Sequence, residues 1–181
     1  MEEMIYIMGE TKTPRITRWQ LLLLRLNTIP YLRKLVQRPI KRIFCLPDSC
    51  SIGMGFYCNH STPHFLKIGK NVSLNDTFIV AWAPITIGDG TSFSFKNKII
   101  TSTHDYENWG KVIGKPVIIG KYCWITTDVT ILPGVTIGDH TVIGAGNIVT
   151  RDIPSGVFAA GNPCRVIKKI NYRTNERLSY K

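Results

Sequence analysis

Four histidines, five cysteines and scattered hydroxyl and amide side chains are the groups in this 181-residue chain that could do chemistry. Histidine ordinarily titrates near neutrality, so it is the natural base for taking a proton from a hydroxyl that attacks an acyl carbon. His104 stands apart by position. It lies near the start of Thr101 to Val117, TSTHDYENWGKVIGKPV, where the hydrophobic period found on either side stops. Segments that leave a regular scaffold are where function concentrates. His140 falls inside a regular unit and is expected at a solvent-facing corner. His60 and His64 stand near Cys50 and Cys58, but that set lacks the closely spaced cysteine pair of common structural zinc sites, so no metal is expected. No Gly-x-Ser-x-Gly elbow occurs.

The scaffold around His104 is written in sixes. From Ile119 an aliphatic residue returns at Ile125, Ile131, Ile137, Ile143 and Val149, and the fifth residue of each unit (Cys123, Val129, Val135, Thr141, Asn147) is small or apolar too. Glycine, aspartate, proline and asparagine between them turn corners. Three units make one triangular coil of eighteen residues, and stacking coils buries what one coil cannot. Thr127 and Ala145, eighteen apart, therefore stack at one corner, where a long thin ligand would meet both. Upstream the period runs Ile68, Leu74, Val80, then Ile87, Phe93, Ile99, with one residue inserted around Ala81-Trp82-Ala83-Pro84.

These repeats resemble the hexapeptide-repeat acyltransferases. The run Gly146-Asn147-Ile148-Val149-Thr150-Arg151-Asp152-Ile153-Pro154, followed by Ala159 to Ile167 (AAGNPCRVI), resembles their sugar O-acetyltransferase branch. The resemblance implies a mainly β fold, a left-handed parallel β-helix, whose handedness comes from the resemblance alone. It also implies acetyl-CoA as donor, direct transfer without an acyl-enzyme and with His104 as general base, and a homotrimer with donor sites between subunits. Trp124, Thr127, Ala145, Thr150, Arg151, Arg165 and Lys168 match coenzyme-contacting positions of the family, and Asn75 matches a position in the acceptor and donor cleft. The acid that galactoside- and maltose-specific members use has no match, since Trp82 and Ala83 occupy its region, which puts Trp82 on the acceptor side. His104-Asp105-Tyr106 looks more like the acetyltransferases of exopolysaccharide and capsule assembly, whose acceptors include lipid-linked glycans. N-acetylation of an amino sugar, O-acetylation of an antibiotic and a non-catalytic trimeric scaffold are the alternatives. The partner that orients His104 is open among Asp105, Glu107 and a backbone carbonyl.

A formal charge of +11 calls for acidic partners, and the aromatic residues sit in no nucleic-acid-binding motif. An odd number of cysteines without a secretory signal fits a reduced, cytoplasmic compartment. Residues 1–14 have no period and are expected to be a mobile terminus. From Thr17 to Phe44 two short amphipathic helices are expected, with breaks near Pro30 and Pro39. Every charge between Lys12 and Pro47 is basic, which suits either an anionic membrane surface or a helix pair that packs on the coil and points its cations at water. The expected division is a basic helical segment over 1–46, a catalytic β-helix over 47–165 with its loop at about 103–117, and a basic, partly helical tail over 166–181.

Overall fold

The computed structural model describes residues 3–8, 10–11, 15–59 and 65–171. The repeats wind into a parallel β-solenoid with three faces. The first face stacks β4 (Leu66–Ile68), β7 (Ile85–Ile87), β12 (Val117–Ile119) and β15 (Thr136–Ile137). The second stacks β2 (Ser51–Ile52), β5 (Ser73–Asn75), β8 (Ser92–Phe93), β13 (Trp124–Ile125), β16 (Val142–Ile143) and β18 (Val157–Ala160). The third stacks β3 (Tyr57–Cys58), β6 (Phe78–Val80), β9 (Lys98–Ile100), β14 (Thr130–Ile131) and β17 (Ile148–Val149). In the regular part each residue pairs with the one eighteen further on, Trp124 with Val142 and Thr130 with Ile148. Both residue sets expected to point inward, Ile119 to Val149 and Cys123 to Asn147, are buried.

The upstream frame differs in one place from the expected period. Ile79, not Val80, is the buried member of its unit and pairs with Ile99, while Val80 is half-buried opposite Ile100. The unit at Asn75-Asp76-Thr77 is one residue short, and the corner at 81–84 makes up for it with two extra. A corner can absorb such a change because only the strand residues must keep alternating inward.

Between β7 and β12 the offset grows from 18 to 32 residues, Ile85 pairing with Val117 and Ser92 with Trp124. The extra chain leaves after Thr101 as a hairpin of β10 (Ser102–His104) and β11 (Lys111–Gly114). The terminus expected to be mobile is instead its third strand. Residues of β1 (Met4–Ile7) pair antiparallel with β11 from Met4 opposite Gly114 to Ile7 opposite Lys111, and Tyr6 is buried. Four paired residues with one anchored aromatic offset the ordering entropy that makes a bare terminus fray.

The helices are α1 (Arg18–Asn27) and α2 (Pro30–Ile43). Thr17 caps α1 with a reciprocal capping box to Gln20. The break at Pro30 is there, with Pro30 starting α2, but α2 runs through Pro39. Proline removes the donor to the Leu35 carbonyl, and Leu35 lies on the exposed side, where water can take that bond. Leu24, Val36 and Ile40 join the solenoid core, Asn27 donates to the Gly53 carbonyl at 2.7 Å, and Arg33 donates to the Ile52 carbonyl at 2.7 Å. The pair thus lids the first coil. At the other end β19 (Arg165–Lys169) runs antiparallel to β18, so this part of the tail is a strand and not a helix. Residues 172–181 lie outside the described residues, as do Lys12, His60 and His64.

Candidate active site

His104 ends β10, three residues beyond Thr101, where the hairpin departs from the corner between the third and first faces. Its ring is exposed, and Nδ1 lies 2.9 Å from the carbonyl oxygen of Trp109. A carbonyl can only accept, so Nδ1 carries the hydrogen and Nε2 is left with its lone pair outward. That is the tautomer a base needs. The orienting partner is therefore a backbone carbonyl. Asp105 turns elsewhere: Oδ1 accepts from the Glu107 N–H at 2.9 Å and Oδ2 sits 3.2 Å from the Lys111 ammonium. The Glu107 N–H first, and Lys111 second, hold the Asp105 carboxyl below its ordinary range. These contacts close the turn that presents the Trp109 carbonyl to His104.

The corner between the second and third faces carries another set. Thr127 and Ala145 stack there on successive coils, as the eighteen-residue spacing requires, and the Gly146 N–H donates to the Thr127 carbonyl at 2.9 Å. Asn75 belongs to the same column two coils before Thr127, its side-chain N–H donating to the Phe93 carbonyl. Trp124, half-exposed on the adjoining strand, donates through its indole N–H to Ser94 Oγ at 3.2 Å. Arg165 opens β19 at the end of this column, opposite Ala160, and Lys168 sits further along opposite Phe158. Both cations are exposed. Phe95, which the sequence reading did not single out, is exposed between Asn75 and Thr127 on the same corner. An aromatic residue at a corner position of a repeat unit was the available signal.

Thr150 and Arg151 do not join that column. They turn the corner between the third and first faces, the one from which the His104 hairpin leaves. Trp82 is at this corner too, one coil earlier. Its N–H donates to Thr101 Oγ1 at 2.8 Å, and its ring meets Tyr6 edge-on with centroids 5.2 Å apart. His140 sits at the remaining corner with φ 55°, half-buried and stacked on Tyr122 of the preceding coil at 5.2 Å, more packed than the solvent-facing position expected for it.

The column at Thr127 and Ala145 is lined by small side chains, with the exposed aromatics Phe95 and Trp124 beside it and the exposed cations Arg165 and Lys168 near its end.

Residues 112–151 match the family described as bacterial transferase hexapeptide (six repeats). The galactoside O-acetyltransferase of Escherichia coli (strain K12) is 42% identical over 123 residues, 61% of this chain and 60% of that protein's length. Among solved structures, a maltose O-acetyltransferase from Clostridium difficile 630 superposes with a TM-score of 0.73 at 33% identity, over 85% of this chain and 86% of that one. A galactoside acetyltransferase in complex with coenzyme A gives 0.72 at 32% identity, over 84% and 80%. A polySia-specific acetyltransferase gives 0.55 at 28% identity, over 70% and 65%.

Proposed function

The chain belongs to the hexapeptide-repeat transferase family, whose left-handed β-helix its solenoid is, and from that premise we propose that it is an acetyl-CoA-dependent O-acetyltransferase with His104 as general base. The observation that carries the reading is the 2.9 Å contact from His104 Nδ1 to the Trp109 carbonyl, which leaves Nε2 to act. In the proposed reaction a sugar hydroxyl approaches the thioester carbon. His104 Nε2 takes the hydroxyl proton as the C–O bond forms, and the proton passes to the thiolate as the C–S bond breaks, giving acetyl ester and free coenzyme A. Positioning of the two reactants supplies much of the rate. The likeness to a galactoside acetyltransferase crystallised with coenzyme A supports the donor, and its sugar-named relatives support a sugar acceptor.

Within one chain the base and the Thr127–Ala145 column lie on different corners of the coil, across the third face. This favours a homotrimer in which one subunit brings His104, with Trp82, Thr150 and Arg151 nearby, to the Asn75–Ala145 corner of the next. The likeness to a polySia-specific enzyme, together with Trp82 in place of an acceptor-binding acid, favours a glycan of surface-polysaccharide assembly, lipid-linked glycans included. The helix pair supports a cytoplasmic enzyme held at the inner membrane face. Trp19, Leu22, Tyr31 and Leu35 are exposed on the helix pair, and a groove of about 680 Å³ is lined by Lys34, Gln37, Arg38, Lys41 and Arg42 of the second helix with Asp48. None of the described helices is long and apolar enough to cross a membrane. Thiol release from acetyl-CoA in the presence of glycan acceptors tests the reading, with His104→Ala expected to abolish it. Binding to vesicles with and without anionic lipid tests the membrane contact, and equal binding to both would count against it.

A further inference from the structure

The three strands of the hairpin sheet are unequal. Among the described residues β10, which carries His104, pairs with β11 alone, through Ser102 opposite Gly114, Thr103 opposite Ile113 and His104 opposite Val112. A two-stranded hairpin is marginal in water by itself. β11 is the central strand, and its other edge is filled by β1, which places Tyr6 opposite the same Val112. Tyr6, Val112 and His104 therefore form one row across the sheet, the first two buried. Residues facing each other across strands share a side of the sheet and pack on one another.

Tyr6 is also fastened to the solenoid. Its hydroxyl donates to the Trp82 carbonyl oxygen at 2.8 Å, and its ring packs edge-on against the Trp82 ring. The Trp82 and Ala83 N–H groups in turn donate to Thr101 Oγ1 at 2.8 and 2.9 Å, and Thr101 is the fully buried residue from which β10 departs. Burial raises the Tyr6 hydroxyl above its ordinary value, which keeps it a donor. Two further contacts hold the strand in register, Met8 N–H to the Gly110 carbonyl at 2.8 Å and Glu3 to the Lys115 ammonium at 2.8 Å. Gly110 is the neighbour of Trp109, whose carbonyl holds His104 Nδ1.

We propose that β1 is a strap that positions the base, with Tyr6, clamped on the Trp82 carbonyl, fixing the row that sets where His104 points. Tyr6 is a positioning residue, since it acts through Val112 and Trp82 and touches no reacting atom. The inference rests on His104 being the base. Its consequence is that a segment about a hundred residues upstream, outside the repeats, controls the alignment of the Nδ1 hydrogen bond to Trp109.

The full-length protein labelled with 15N-histidine reports this directly, through the ring-nitrogen signals of His104 at mildly alkaline pH, assigned by their loss in His104→Ala. In the wild type, one tautomer with Nδ1 protonated is expected. Tyr6→Ala, and the chain lacking residues 1–8, are expected to show a mixture of the two tautomers. Tyr6→Phe, which keeps the ring contact and loses only the hydroxyl, is expected to show a smaller admixture. An unchanged single tautomer in all three variants would overturn the proposal, and if the first two fail to fold, Tyr6→Phe decides alone. A strap that only added stability would lower the melting temperature and leave these signals in place. The readout is independent of turnover: a His104→Ala enzyme that kept its activity would dismiss the base and leave the coupling standing.

Discussion

At the scale of single residues, the proposed site depends on which nitrogen of His104 holds a hydrogen, and a main-chain oxygen decides it. Asp105 and Glu107 are the polar neighbours a reader of the sequence weighs, but Asp105 is occupied with Lys111 and the Glu107 N–H. The Trp109 carbonyl has no sequence signature, because every residue carries one. Buried thiols give a second prediction. Burial pushes the Cys50 thiol up to about 11, against a smaller opposing effect of the Lys41 cation. The neutral thiol is what the fold accommodates, so this part of the stability is complete below the unfolded value near 9. It is lost as pH climbs from there through about 11, a loss of about 2–3 kcal/mol for a shift of that size. Chemical denaturation at neutral and strongly alkaline pH should show a decline that is smaller in Cys50→Ala. An identical decline in both would assign it to other groups, Cys123 and Cys164 among them.

At the scale of elements, the coils were legible because a period of six leaves two inward positions per unit, one aliphatic throughout Ile119 to Val149 and the other filled by Cys123, Val129, Val135 and the small polar Thr141 and Asn147. Truncating one, such as Ile131→Ala, should cost about 2–5 kcal/mol in equilibrium unfolding. The hairpin was legible only as an interruption. β1 was not, since MIYI is four residues with no flanking period, and its partner lies a hundred positions away. The helical period was found, but it did not say which side is buried: Leu24 packs inward while Trp19 and Leu22 stay exposed. Aromatic and leucine-rich spacing alone does not say which side meets the body. One substitution tests how the hairpin sits on the solenoid. A Cβ on Gly114 would lie 2.7 Å from the Trp82 carbonyl oxygen, so Gly114→Ala must push β11 off that corner, at a cost of about 1–3 kcal/mol. Faster hydrogen exchange at Thr103 and Val112, with the coil amides unchanged, is the expected result.

At the scale of the whole molecule, the eighteen-residue stacking predicted the Thr127–Ala145 column, but no period could say that His104 and that column stand on different corners. Only the path of the chain around the three faces does, and it makes assembly part of the proposed site. Sedimentation should find a trimer, and acetyl-CoA should raise its melting temperature by mass action, by an amount that grows with ligand concentration. A stable monomer with full acetyl-CoA binding would refute the shared site. The most direct test of the account is free-thiol release from acetyl-CoA by wild type and His104→Ala, side by side, across galactosides, maltose and polysialic acid oligomers. Release by the wild type with at least one acceptor, falling by about 100- to 10,000-fold in His104→Ala, is the predicted result. Undiminished release by that variant would contradict it.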